Sequence, residues 1–426
     1  LRPNDIPAGA VDLVARHRQS QRDNQPGKVI TMPEYLAPGV FVEESSSSPH
    51  PIAGVPTSTA GFVGPTLSGS AKRVPALVTS LAEYEAIFGD AAPLRFTDGA
   101  GETDNYLWHA ARAFFAQGGM RLYVARTVSG AGGGAKPTAA DYATALRALE
   151  AIDEIAVVAA PGSTASDSAS AQSVAAALIE HAERMRYRIA VIDSVKGDDV
   201  AATHAFRTCF DSGYAAFYYP WVRVADPLTG QESLQPPSGF VAGIYARNDT
   251  ARAVFKAPAN APVTLATGFE RLLTKVEQDV LNPLGINCFR YLEGRGLRLW
   301  GARTLTSAAD YKYVHVRRYV SYLEHSIDSG TGWAVFEPND EPLWAGIRRS
   351  IGDFLYSQWR DGGLLGDTPE KAFFVKCDRT TMTQNDIDNG RLVMEIGVAP
   401  LKPAEFVIFR IGQWTADKKP RGRKSR

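Results

Sequence analysis

Trp333-Ala-Val-Phe-Glu-Pro-Asn-Asp-Glu-Pro-Leu-Trp344 opens the stretch whose reading decides the fold. Asn339 or Asp340 can cap a helix here, because a short side-chain oxygen satisfies an orphan amide of the first turn. Pro342 suits that turn, where its missing amide costs nothing. Leu343, Ile347, Ile351, Phe354 and Leu355 then recur at helical spacing beside Trp344 and Trp359, predicting a helix over 343–359 with one apolar face. Its opposite face carries Arg348, Arg349, Asp353, Arg360 and Asp361 and is free for something polar. Gly362-Gly363 stops it, and a strand is expected over 372–377. The last patterned segment, Glu405-Phe-Val-Ile-Phe-Arg-Ile411, is strongly β-prone. Only a basic run, 418–426, follows it. Such a strand is an open edge unless it enters a sheet, its own or a neighbour's.

The 426 residues allow two or three domains, each with its own core. A hydrophobic content of 45% and a charged content of 22% are ordinary for a globular protein. The formal net charge is zero, so no long-range attraction to nucleic acid or an anionic membrane is indicated. No apolar run approaches the ~18–20 residues that span a bilayer. Residues 1–31 lack the apolar stretch of a signal peptide and read as disordered or loosely helical. Leu1 is not a normal initiator, and Met32 looks like a better natural start. Cys209, Cys288 and Cys377 are scattered without metal spacing and read as buried thiols of a reducing compartment.

Outward toward the N-terminus, Val40 and Val42 alternate with Phe41 and Glu43 in a short extended segment that runs to Glu44. A Ser/Pro-rich linker follows over 45–56. Next come a strand (59–64), a helix (80–88) ending at Gly89, a helix from Thr103 or Asp104 to Gly118-Gly119, and a strand (121–126). Helices over 139–151, 171–186 and 200–210 then alternate with strands over 155–160, 188–193 and 215–224. Alternation of this kind argues a mainly parallel sheet covered by helices. A polar loop (227–237), a helix from Pro237-Ser238 and a helix over 269–281 come next. Strands are expected over 286–291, 297–303 and 313–319, the last running into a helical segment through Ile327. From Pro283 onward the pattern reads as α+β and separable from the middle.

Chemistry is sparse. Gly130-Ala-Gly-Gly-Gly-Ala135 nominally fits a dinucleotide pattern after a strand, but Lys136-Pro137-Thr138 intervene before the helix and no acidic residue closes the next strand. A flexible loop is the better reading. Asp193 ends a strand, where a carboxylate more often caps the next turn than does chemistry. The seven His are dispersed, and His315 and His325 read as surface or strand-end residues. Phe217-Tyr-Tyr-Pro-Trp221 reads as core, and the basic tail as solvated. No catalytic residue, cofactor site or metal site emerges.

Several ordered motifs carry a resemblance: Tyr35-Leu-Ala-Pro-Gly-Val-Phe-Val-Glu-Glu44, Thr57-Ser-Thr-Ala-Gly-Phe-Val-Gly64 and Phe114-Phe-Ala-Gln-Gly-Gly-Met-Arg-Leu-Tyr-Val-Ala-Arg126. Gly285-Ile-Asn287, Trp300-Gly-Ala-Arg-Thr304, the stretch from Phe336 to Trp344, and Asp388-Asn-Gly-Arg-Leu392 running to Phe409 extend it. Over about 33–412 the chain resembles the contractile tail sheath proteins of phage tails, R-type pyocins and extracellular injection systems.

The resemblance implies a tail-sheath fold, α+β and α/β: a discontinuous core domain built from both chain ends, with an inserted outer α/β domain. The corresponding division is 1–32 (extension), 33–62 (arm and linker), 63–269 (outer domain), 270–414 (C-terminal core domain) and 415–426 (basic tail). It implies inter-subunit arm strands at Val40, Phe41, Val42, Glu43 and Glu44, and at Glu405, Phe406, Val407, Ile408, Phe409, Arg410 and Ile411. Arg348, Arg349, Asp353 and Arg360 become candidates for facing an inner tube. The implied function is structural, without catalysis or cofactor: hexameric rings stack helically around the tube and contract to drive it through a target envelope. Implied partners are further copies, the tail tube protein, and baseplate and terminator proteins, without nucleic acid or membrane insertion. Assembly is expected in the bacterial cytoplasm, within a phage tail, bacteriocin or injection particle, which share one sheath logic. Two alternatives stay open: an α/β nucleotide-binding enzyme, resting on the alternating middle and the Gly130 loop, and a sheath-like protein that assembles without contracting.

Overall fold

The computed structural model describes residues 50–70, 74–99, 101–127, 134–165, 167–406 and 408. The expected N-terminal arm at 40–44 and most of the Gly130 loop lie outside the described residues. The strands are β1 (Ala60–Gly64), β2 (Ala76–Val78), β3 (Leu94–Arg95), β4 (Glu102–Thr103), β5 (Leu122–Arg126), β6 (Val157–Ala159), β7 (Ile189–Asp193) and β8 (Ala215–Tyr219). They continue with β9 (Val222–Ala225), β10 (Glu232–Gln235), β11 (Ala261–Pro262), β12 (Ala266–Phe269), β13 (Ile286–Leu292), β14 (Gly296–Trp300), β15 (Phe373–Lys376) and β16 (Glu395–Val398).

A nine-stranded sheet runs in the order β11-β14-β13-β8-β7-β6-β1-β5-β2. Its centre, from β5 to β13, is parallel, and β2, β14 and β11 are antiparallel additions at the rims. The central strands are apolar at nearly every position because both faces are covered. Phe62, Val191 and Tyr218 enter one core, while Val63, Ile192 and Phe217 enter the other. Helices Tyr106–Gln117 and Pro237–Ala251 cover the first face; Ala139–Ala148, Ser168–Met185 and Val200–Arg207 cover the second. The first pair packs almost backbone to backbone. A Cβ on Gly239 would meet Ala110 Cα at 2.5 Å, and one on Gly243 would meet the Phe114 carbonyl at 2.6 Å.

A third core lies beyond the sheet, where Ile52 meets helices Val314–Thr331 and Glu341–Arg360 and the β15–β16 ribbon. A buried ion pair ties it to the sheet: Arg318 Nη2 lies 2.5 Å from Asp249 Oδ2 and also donates to the Thr57 carbonyl at 2.9 Å. Thr57 Oγ1 closes the group by donating to Asp249 Oδ2 at 2.7 Å.

Several expectations are corrected. The strand over 215–224 is two strands, divided at the cis Tyr219-Pro220 bond. β9 joins β10 and β12 in a separate three-stranded sheet, so part of the polar loop and the start of the expected 269–281 helix are strand. That helix begins only at Lys275, where Thr274 and Glu277 form a capping box. Asn105, not Thr103 or Asp104, caps the helix before Gly118. Residues 313–319 form no strand: Val316, Tyr319 and Leu323 are buried at helical spacing within Val314–Thr331, which their β-prone composition disguised. The block after Pro283 is not separable either, since β13 pairs with β8 and carries β14 into the same sheet.

Candidate functional site

The helix read from sequence spans Glu341–Arg360, with Asp340 Oδ1 accepting from the Leu343 amide at 3.1 Å. Its polar face is not uniform. Arg348 is taken up internally, pairing with Glu341 at 2.6 Å and donating to the Cys377 carbonyl just past β15. Arg349, Asp353 and Arg360 are exposed and have no ion-pair partner among the described residues.

The neighbouring ribbon is antiparallel, with Phe373 opposite Val398 and Lys376 opposite Glu395. Phe373, Val375, Ile396 and Val398 pack toward the third core, and Phe374 lies outside, across Gly397. A Cβ on Gly397 would sit 2.2 Å from the Phe374 ring, so this glycine makes room for it. Two strands alone are marginal in water. Among the described residues no further strand pairs with β15 or β16. Beside β16 runs a groove of ≈ 770 Å³, lined by Val316, Val320, Leu323 and Ile327 of one helix and by Met394 and Ile396. The outer edge of the ribbon is unpaired among the described residues, and an apolar groove lies beside it.

The C-terminal segment was the other element singled out. A strand was expected from Glu405, but residues 401–406 and 408 form no ladder, and 407 and 409–411 lie outside the described residues. Glu405 is instead an anchor. Its carboxylate accepts from Arg303 Nε at 2.8 Å and Nη2 at 2.7 Å, from Asn282 Nδ2 at 3.0 Å and from the Tyr313 hydroxyl at 3.0 Å. Burial pulls its pKa up, but the bonds from Arg303 and Asn282 outweigh it and hold the carboxyl below the ordinary glutamate value. Immediately beyond, Phe406 and Ile408 are 70% and 79% exposed. The chain is fixed at Glu405 and presents Phe406 and Ile408 to solvent.

Other singled-out residues have structural roles. Asp193 does not cap its own turn; it accepts from the Ser238 amide at 2.6 Å and hydroxyl at 2.7 Å and so holds the start of Pro237–Ala251. Burial pushes its pKa up to about 7 against those bonds. His315 is a buried helix residue rather than a surface one, pushed down to about 4 by burial. Phe217, Tyr218, Tyr219 and Trp221 are core, as expected. Cys288 and Cys377 are buried, whereas Cys209 is exposed. The Arg303–Glu405 and Arg318–Asp249 pairs were invisible in sequence, since their partners lie far apart along the chain.

Two family models match: the phage tail sheath protein central domain over residues 135–305 and the phage tail sheath C-terminal domain over 306–413. A prophage major tail sheath protein of Pseudomonas aeruginosa is 26% identical over 267 residues, which is 61% of this chain and 65% of that protein. Tail sheath proteins of Vibrio phage KVP40 and Burkholderia phage BcepMu are 28% and 29% identical over 54% and 51% of this chain, and over 32% and 46% of their own lengths. The chain thus spans less than two thirds of each of these curated relatives. The contracted helical sheath of the anti-feeding prophage superposes with a TM-score of 0.72 at 29% identity, covering 89% of this chain and all of that one. The contracted sheath complex of the extracellular contractile injection system PVC gives 0.71 at 28% identity, covering 90% and 98%.

Proposed function

The chain belongs to the phage tail sheath family, and we propose that it is a structural subunit of a contractile sheath. In this reading copies stack as rings around an inner tube and contract to drive it outward. The observation that carries the reading is the pairing of an unfilled acceptor, the β15–β16 ribbon with its apolar groove, with a β-prone segment anchored at Glu405 and exposed at Phe406 and Ile408. A segment donated by a neighbour satisfies backbone groups on both chains. Because donor and acceptor are different surfaces, each contact leaves a free half, and the assembly grows as rings or helices. The 40–44 segment is assigned as the second donated strand.

In the proposed division the third core, with helix Glu341–Arg360 and the ribbon, lies toward the tube, and the large sheet projects outward. Membership of β13 and β14 in that sheet moves 270–305 to the outer part. Arg360 is kept as a tube contact; Arg348 is spent internally, and Arg349 and Asp353 line a groove beside Ile52 and Phe354. The relatives with contracted structures favour contraction over a static sheath. The energy is assigned to better packing between subunits, with no nucleotide consumed, no cofactor and no catalysis. Tube, baseplate and terminator proteins are the partners, and the assembly site is the bacterial cytoplasm.

Negative-stain electron microscopy of the chain, alone and co-expressed with its tube protein, tests this. Long ribbed tubes are expected, and deletion of 405–426 abolishes them. Uniform small particles under both conditions, or contraction that requires ATP, would refute the proposal.

A further inference from the structure

Of the chain's asparagines, Asn389 alone is followed by a glycine. The pair closes the short helix Gln384–Asp388, with Asn389 at its C-cap and Gly390 in the left-handed region at φ 67°. The turn calls for that glycine: its amide donates to the Ile387 carbonyl at 2.9 Å, and a side chain would be strained at this φ. The same pair is chemically labile, because a residue without a Cβ lets its amide nitrogen reach the preceding side-chain carbonyl. Both residues are exposed, so water can enter and ammonia can leave. In the folded chain the turn engages both reacting groups elsewhere. Asn389 Nδ2 donates to the Asn385 carbonyl at 2.6 Å and to Asn385 Oδ1 at 3.1 Å, and the Gly390 amide is tied to Ile387. Thr383 and Asp386 form a capping box at the other end, and the Asp386 carbonyl accepts from the Arg391 amide at 2.8 Å.

We propose that Asn389 is a site of spontaneous deamidation and that opening of the 383–391 turn sets its rate. Once the turn opens, the Gly390 nitrogen gives its proton to solvent and bonds to Asn389 Cγ. The Cγ–Nδ2 bond breaks, and the amide nitrogen takes a proton from water and leaves as ammonia. Water then opens the cyclic imide at either carbonyl, giving aspartate or isoaspartate; a water is consumed and an ammonia released. Isoaspartate routes the backbone through the side chain and lengthens it by a methylene just before Arg391. The Arg391 carbonyl accepts from Asn339 Nδ2 at 3.1 Å, and Leu392 and Met394 pack against the third core on the way into β16. In the proposed exchange β16 belongs to the accepting ribbon, so the product falls on the acceptor. That consequence rests on the sheath reading; the modification itself does not.

The test is peptide mapping by mass spectrometry of the full chain, stored folded at mildly alkaline pH and, in parallel, unfolded in guanidinium. Asn389 is expected to gain the mass of an acid over an amide, as a mixture of aspartate and isoaspartate, ahead of every other asparagine. The folded chain converts more slowly than the unfolded one, and faster as pH rises, because the nucleophile is the deprotonated amide. Thr383→Ala removes the capping hydroxyl and makes opening of the turn about fivefold more frequent, so folded conversion speeds up about fivefold while the unfolded rate stays the same. Earlier loss of another asparagine, a folded rate equal to the unfolded one, or a folded rate that Thr383→Ala leaves unchanged overturns the proposal. So does an Asn389 that stays intact in both folded proteins after the unfolded chain has converted. None of these outcomes depends on whether the chain assembles, so the sheath reading stands or falls separately.

Discussion

Glu405→Ala should free the start of the C-terminal segment without unfolding the protein. The substitution removes the acceptor of the Arg303, Asn282 and Tyr313 bonds and leaves Arg303, only 7% exposed in its side chain, without a counter-charge. Removing one partner of a buried pair costs about 3–5 kcal/mol. Glu405 is 21% exposed, so water replaces part of the loss and about 2–3 kcal/mol is the better figure. The cost is local, because the sheet and the third core make no other use of this carboxylate. It corresponds to roughly 30–150-fold more frequent opening of 401–406. Hydrogen exchange at the Glu405 amide, which donates to the Pro403 carbonyl at 3.1 Å, reads this. The clamp is also pH-dependent. A carboxyl whose folded value is depressed contributes stability above its unfolded value and loses it as pH falls through the folded value. Exchange at the root, corrected for its intrinsic pH dependence, should therefore be flat through neutrality and rise only below the ordinary glutamate range. Unchanged exchange in Glu405→Ala, with the same thermal midpoint, would refute the anchor.

Gly239→Ala improves helix propensity by about 1 kcal/mol, yet its Cβ would meet backbone at 2.5 Å, and overpacking of ~3 kcal/mol wins. A net loss of about 2 kcal/mol in urea unfolding is expected; a stabilised variant would show that the two helices separate easily. Asp193 holds its proton more tightly folded than unfolded, so its contribution falls as pH rises from about 4 to about 7. Asp193→Asn should gain about 2–3 kcal/mol on wild type between pH 5 and 8, measured by urea midpoints at each pH, and a constant difference would exclude the effect. Arg318→Ala leaves Asp249, 4% exposed, buried and uncompensated, at a cost of about 3–5 kcal/mol. A loss no larger than for an exposed arginine would show that water reaches the junction.

The parts that were legible in the sequence are those with local causes. Leu343, Ile347, Ile351 and Phe354 fix a helix face whatever surrounds them, and Asp340 and Pro342 mark its start. The alternation from 121 to 219 fixed a parallel sheet for the same reason. Segments that tertiary contacts decide were misread. Val314 to Tyr319 is β-prone by composition, but Arg317 lies over the Tyr214 ring and Arg318 pairs with Asp249, partners far away in the chain, and a helix results. At the candidate site, the β-prone character of 405–411 was readable, but the anchoring role of Glu405 was not. Its signal is a lone glutamate, and Arg303 lies 102 positions away. Sequence also could not divide the arginines of one helix face, because Arg348 finds its acceptor at Cys377 across the third core.

Edge protection bears on where the proposed strand exchange takes place. The nine-stranded sheet ends in three-residue β2 at one rim and two-residue β11 at the other. The second residue of β11 is Pro262, which has no amide to offer a further strand. Both rims are thus too short or too blunt to be extended, the usual defence against edge-to-edge association. The ribbon strands are four residues long, and neither carries a proline. Beyond Glu395, β16 continues Ile-Gly-Val, and the groove beside it is lined by Val316, Val320, Leu323 and Ile327. Each backbone bond gained there is worth only about 1 kcal/mol net, so a short free segment binds weakly. Segments tethered to packed copies act at an effective concentration in the mM range, about where such weak pairing saturates. In the proposed exchange, pairing is weak between dissolved subunits and strong within an array, which would let assembly start reversibly and still hold its subunits together while their domains reorient.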